Sequence, residues 1–165
     1  MFKENKLEDL DRERFMSHFP FEGDTTLQIL KGHLLVEEHV RQLVTIQLPH
    51  PKALTGSDGA SYDCHQMICL AEAITPESNE EQWVWKALKK LNKLRNFLAH
   101  NLHDGTALSH KVDDMVTYLK RNDSAYRAFE KTFIQDQSDT RLILCIMCIN
   151  ANLVSLKKIV VERQD

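Results

Sequence analysis

Along most of this chain, apolar side chains return every three or four residues, and no stretch alternates apolar with polar over the length of a strand. That period belongs to helices that bury one face. With only five glycines and four prolines in 165 residues, the chain also lacks material for the many tight turns of an all-β fold. The class read from the sequence is therefore all-α, an up-and-down helical bundle in a single domain over residues 1–165, with 1–23 as an N-terminal helical appendage.

The stop and start signals divide the bundle. A charged helix is predicted over about residues 4–18, ending where Pro20 disfavours continuation. Asp24-Thr25-Thr26 caps a second helix that Leu27, Leu30, Leu34, Leu35, Val40 and Leu43 carry to about Leu48, before Pro49 and Pro51. A loop leads into a third helix over about 62–74. Ser78 or Asn79, followed by Glu80-Glu81, opens a long helix over about 80–102, for which Asp104-Gly105 is the expected stop. Two shorter helices are expected at 109–120 and 124–133. The last, about 138–162, has Leu142, Cys145, Ile146, Ile149, Leu153, Leu156 and Val160 as its apolar stripe.

Composition narrows the class of function. At 42% hydrophobic and 27% charged residues, neither a disordered nor a fibrous chain fits. The N-terminus has no basic start followed by an apolar core, so it does not read as a secretory signal. No apolar run is expected to reach the roughly 18 residues that span a bilayer, the best candidate being LILCIMCINANLV with its two asparagines. The expectation is a soluble, cytoplasmic protein with no membrane partner and with Cys64, Cys69, Cys145 and Cys148 as free thiols. A net charge of −3 makes the whole molecule no magnet for nucleic acid, but Gln82 to His103 holds Lys86, Lys89, Lys90, Lys93 and Arg95 without one acidic residue.

Within that basic strip lies LNKLRNFLAHNL, residues 91–102. On a helical wheel with Arg95 at zero, Leu88, Leu91, Leu94, Leu98 and Leu102 fall between about −100° and +20°. Beside them Arg95, Asn92, His103, Asn96 and His100 occupy an arc from 0° to about 140°, with Lys89 and Lys93 at about 120° and 160°. The polar residues form one ridge along the core seam. Histidine suits proton transfer near neutral pH, arginine offers a permanent fork of donors to a phosphate, and asparagine can orient an imidazole or bind a phosphate oxygen. These are the parts needed to cut RNA through its own 2′-hydroxyl, with no metal or other cofactor required. One helix supplies one motif histidine, whereas the reaction needs an acid and a base, so a two-fold homodimer with facing ridges is part of the reading.

Arg95-Asn96-Phe97-Leu98-Ala99-His100 resembles the signature of the HEPN superfamily, an arginine, a polar residue, three more residues and a histidine. Gly32-His33-Leu34-Leu35-Val36-Glu37-Glu38 is similar to the small residue and acidic pair in an early helix of such proteins. The resemblance covers residues 24–160 and implies a four- or five-helix bundle that pairs through the motif helix. It implies a metal-independent endoribonuclease of toxin or defence systems, leaving a 2′,3′-cyclic phosphate and open to control by a cognate antitoxin or regulatory protein. Arg95, Asn96 and His100 are then the catalytic candidates, and Lys89, Lys93 and His103 the RNA-binding ones. The chain also looks somewhat like mannitol operon repressor relatives, which implies the alternative, a non-catalytic helical regulatory or protein-interaction module.

Other candidates weigh less. Cys145-x-x-Cys148 lies in an apolar stripe, where cysteine packs as a small hydrophobe. Cys64 and Cys69 are five apart with no accompanying zinc-knuckle pattern, and His100, His103 and His110 have no carboxylate motif beside them. Trp83 is expected in the core and Trp85 at an interface or stacked on a base. Glu37-Glu38 is a candidate support for Arg95 across the bundle. No phosphate loop, nucleophile elbow or paired-carboxylate pattern occurs, which argues against ATP-dependent or serine-hydrolase chemistry.

Overall fold

The computed structural model describes residues 4–56, 61–76, 82–101, 105–133 and 140–164. Seven α-helices account for nearly all of them: α1 (Glu4–His18), α2 (Thr25–Gln47), α3 (Cys64–Ile74), α4 (Trp83–His100), α5 (Gly105–Asn122), α6 (Ser124–Phe133) and α7 (Thr140–Gln164). The all-α bundle expected from the periodicity is what forms. Caps act where the sequence places them: the Asp24 side chain accepts from Thr26 N at the start of α2, and Asp63 with Gln66 closes a reciprocal capping box at the start of α3. Gly105, expected as part of a helix stop, is instead the first residue of α5.

Partner residues give the helix directions. α3 runs the same way as α2, since His33 meets Cys64 and Gln47 meets Thr75. The residues between them return along α2, where Arg41 donates to Tyr62 O. α4 opposes α3, with Lys89 of its first half bonded to Glu72, near the end of α3. α5 opposes α4, with Lys90 against Asp114 and Lys111 over the Phe97 ring.

α7 forms the spine. Every residue of its expected apolar stripe is buried, and so are Asn150 and Lys157. The Lys157 ammonium lies against the Asp11 carboxylate and donates to Gln42 Oε1 at 2.9 Å, which joins α1, α2 and α7. The expectation that no run reaches a bilayer span is corrected here: α7 is long and apolar enough by length and composition. About three fifths of its best window, 61%, is buried against the other helices, as a core helix requires. α2 and α7 touch at Gly32, where a Cβ would stand 2.8 Å from Ile146 Cδ1 and 2.9 Å from its Cγ2. At the turn from α1 to α2, Phe15 and Phe19 stack and Phe21 meets both edge-on, with Phe19 Cε2 3.2 Å from the same Cβ position.

Candidate functional site

α4 is positioned by its apolar arc. Val84, Ala87, Leu88, Leu91, Leu94 and Leu98 are all buried, as the wheel requires. Trp85 is 1% exposed, which corrects its expected interface role; Trp83 is half-buried and Tyr118 Oη donates to its carbonyl. The expected opening residues Ser78 to Glu81, and Leu102, His103 and Asp104 at the other end, lie outside the described residues.

Arg95, Asn96 and His100 are exposed, with Arg95 Nη1 donating to Asn96 Oδ1 at 3.1 Å. His100 is the last residue of α4, and its side chain forms no hydrogen bond or ion pair with another described residue. The imidazole is thus open to solvent, and Arg95 and Asn96 are joined beside it on the outer side of one helix. The exposure of Arg95 follows from where α3 begins. Val84, Leu88 and Leu91 lie within about 40° of Arg95 on the wheel, yet they are buried. α3 covers that line until its first turn, where Cys64 meets His33 at the level of Asn92. Beyond it the same line is bare, and Arg95 and Ala99 face solvent.

The basic strip is less positive in three dimensions than in the sequence. Lys89 is bonded to Glu72 at 2.5 Å and Lys90 to Asp114, so α3 and α5 each bring an acid to it. Lys86 and Lys90 also lie over the Tyr118 ring. Of the expected RNA track, Lys93 remains exposed without an ion pair to a described residue, whereas Lys89 is engaged.

Asn92, placed on the polar ridge by its angle, is buried. It belongs to a network beneath the ridge: its Oδ1 accepts from His33 Nε2 at 3.0 Å, and Cys64 Sγ lies 3.4 Å from the same nitrogen. On the other side of the ring, His33 Nδ1 is 3.6 Å from Glu37 Oε2. Glu37 Oε1 accepts from Arg41 Nε and Nη2 at 3.0 and 2.7 Å. Burial lowers the His33 pKa against the raising effects of Asn92 and Glu37, and the Arg95 charge lowers it further. The Cys64 thiol is pushed up to about 12, chiefly by burial and next by Glu37. The expected support of Arg95 by the acidic pair is corrected: Glu37 holds Arg41, and Glu38 accepts from Arg14 at 2.7 Å.

Sequence reasoning missed His33 and Cys64. The usable signal was His33-x-x-x-Glu37, a spacing that puts both side chains on one face of α2. Cys145 and Cys148 are buried with both thiols raised by desolvation, Cys148 to about 12, and they pack as core. Cys69 is exposed beside His65, apart from the Cys64 network, and His110 is exposed on α5. A groove of about 1020 Å³ lies elsewhere, along α6 and α7, and includes none of the motif residues. Searches against protein-family models, curated proteins and solved structures returned no match for this chain.

Proposed function

We propose that this chain is a homodimeric, metal-independent endoribonuclease of the HEPN type. The observation that carries the reading is the bare end of α4, where Arg95, Asn96, Lys93 and His100 all face solvent although Arg95 continues the line of the core seam. A guanidinium held at that edge can grip the phosphate as charge grows on its oxygens. The His100 imidazole acts as the base or acid of the cycle. One imidazole takes the proton of the 2′-hydroxyl, O2′ attacks phosphorus, the bond to O5′ breaks, and the second subunit's imidazole protonates O5′. The products are a 2′,3′-cyclic phosphate and a 5′-hydroxyl.

The dimer that this scheme needs has a surface available. α4 runs against α2, so residues 95–100 pass beside the first turns of α2, where Leu27, Leu30 and Leu34 are 43%, 38% and 61% exposed. Three uncovered leucines on one helix face favour a protein partner there, which also supports the rival reading of a non-catalytic interaction module. A cytoplasmic toxin or defence component, held in check by an antitoxin, is the setting in which such an enzyme fits.

The deciding experiment incubates chelator-treated protein and its His100→Ala variant with structured and unstructured RNA. Cleavage with cyclic phosphate ends by the unmutated protein, lost in the variant at unchanged helicity, is expected; Arg95→Ala should behave likewise. Equal activity of the purified His100→Ala protein refutes the assignment, and no turnover by either leaves the interaction module.

A further inference from the structure

We propose that His33, Cys64 and Glu37 form a binding site for a zinc-class transition-metal ion that ties α2 to the start of α3. Their ligand atoms lie within 4.8 Å of one another. Zinc holds thiolate sulphur at about 2.3 Å and imidazole nitrogen at about 2.0 Å, so in a tetrahedral site those two atoms stand about 3.5 Å apart. Cys64 Sγ and His33 Nε2 are 3.4 Å apart. Asn92 Oδ1, 3.0 Å from the same nitrogen, is placed for the fourth position. The Glu37 carboxylate, 3.6 Å from Nδ1 and half-buried at the rim, has to swing toward the Nε2 edge of the ring to complete the set.

The donor set has the chemistry of that ion. A thiolate, an imidazole and a carboxylate together select a borderline-soft dication over magnesium or calcium. As the metal bonds to sulphur the thiol proton leaves to solvent, and the neutral imidazole changes tautomer, its proton passing through solvent from Nε2 to Nδ1, which frees the Nε2 lone pair for the ion. The resulting thiolate and the Glu37 carboxylate supply two negative charges against the dication. Arg41 already holds Glu37 Oε1, which leaves Oε2 as the oxygen nearer His33. Arg95 contributes opposing charge, so the ion binds with Arg95 turned to solvent, where it is already exposed.

The site lies beside the proposed phosphate clamp but takes no part in the cleavage scheme, which runs in chelator-treated protein. It is tested without RNA. Adding cobalt(II) to the metal-free protein should give one equivalent of a complex with a near-ultraviolet thiolate-to-cobalt band. The band should be absent in Cys64→Ser and the affinity at least about tenfold weaker in Glu37→Gln, the loss typical of a metal-site partner. Zinc at about 100 times its Kd should raise Tm by roughly 5 to 10 °C. X-ray absorption of the unmutated zinc-loaded protein reads the ligands even where a variant misfolds, and one sulphur is expected. No cobalt band, a band that persists in Cys64→Ser, or a sulphur count other than one overturns the site, whatever the outcome with RNA.

Discussion

The bond between His33 and Asn92 is the contact most open to a quantitative test, because it joins residues 59 apart in the sequence at positions 4% and 6% exposed. Asn92→Leu keeps the volume and removes the acceptor. His33 Nε2 is then left with only the weak thiol of Cys64, and a buried polar group stripped of its partner costs about 1–3 kcal/mol. His33→Leu alone does the same to the Asn92 amide. In the double variant neither orphan exists, and two apolar side chains meet in their place. The second substitution should therefore cost less than it does alone, with a coupling of about 1–2 kcal/mol, within the range for residues in contact. Urea unfolding followed by far-ultraviolet circular dichroism at pH 7.5 measures all four corners. Each single variant should lower the midpoint with an unchanged slope, and lose about 2–12 °C in Tm for a chain of this size. Strict additivity, with coupling below about 0.3 kcal/mol, would show that the two groups do not support each other and that α4 is held against α2 by its leucines alone.

Two further outcomes follow from the core. His33 and His39 both have lowered pKa values, first through burial, and His39 Nδ1 has no hydrogen-bond partner among the described residues, so both are neutral in the native state. Below the unfolded value near 6.5 the unfolded chain takes up protons the native one refuses, and stability should fall by about 1.4 kcal/mol per pH unit for each histidine. Stability that is flat or rising from pH 7 to 5 in the unmutated protein, against a matched His33→Gln, His39→Gln control, speaks against that account. Gly32→Ala should destabilise by up to about 2 kcal/mol, because crowding Ile146 costs about 1–3 kcal/mol and the helix propensity of alanine returns about 1; a rise in Tm would contradict it.

How much of this was legible in the sequence depended on whether the cause was local. The stripe of α7 and the capped start of α2 were readable because period and capping act within a few residues. Gly105 misled because the same glycine can follow one helix or open the next, and only the neighbouring chain decides. Arg95, Asn96 and His100 were singled out as candidates by residue type and spacing, and their exposure fits the wheel, but the burial of Asn92 was not legible, although Asn92 and Arg95 are one turn apart. That difference is set by α3, whose first turn reaches the level of Asn92 and stops. His33 and Cys64 meet across 31 residues through the return of the chain along α2, which no window of local periodicity contains.

The length of α3 is thus what separates core from candidate site. Its 11 residues rise about 16 Å, against about 34 Å for the 23 residues of α2, so it can cover only part of the groove that α2 and α4 make. Over the covered part, polar residues must be satisfied inside, and Asn92, His33 and Glu37 are joined in one network. Over the bare part α2 presents Leu27, Leu30 and Leu34 to solvent and α4 presents Arg95. A chain with no use for that surface would gain by extending α3 or by placing polar residues there, since exposed leucines invite association and add nothing to the fold. A second copy laid on that surface by a two-fold axis would necessarily bring a second Arg95 and a second His100 with it. In the homodimeric reading, the chemistry proposed for the ridge therefore depends on what the uncovered flank of α2 binds.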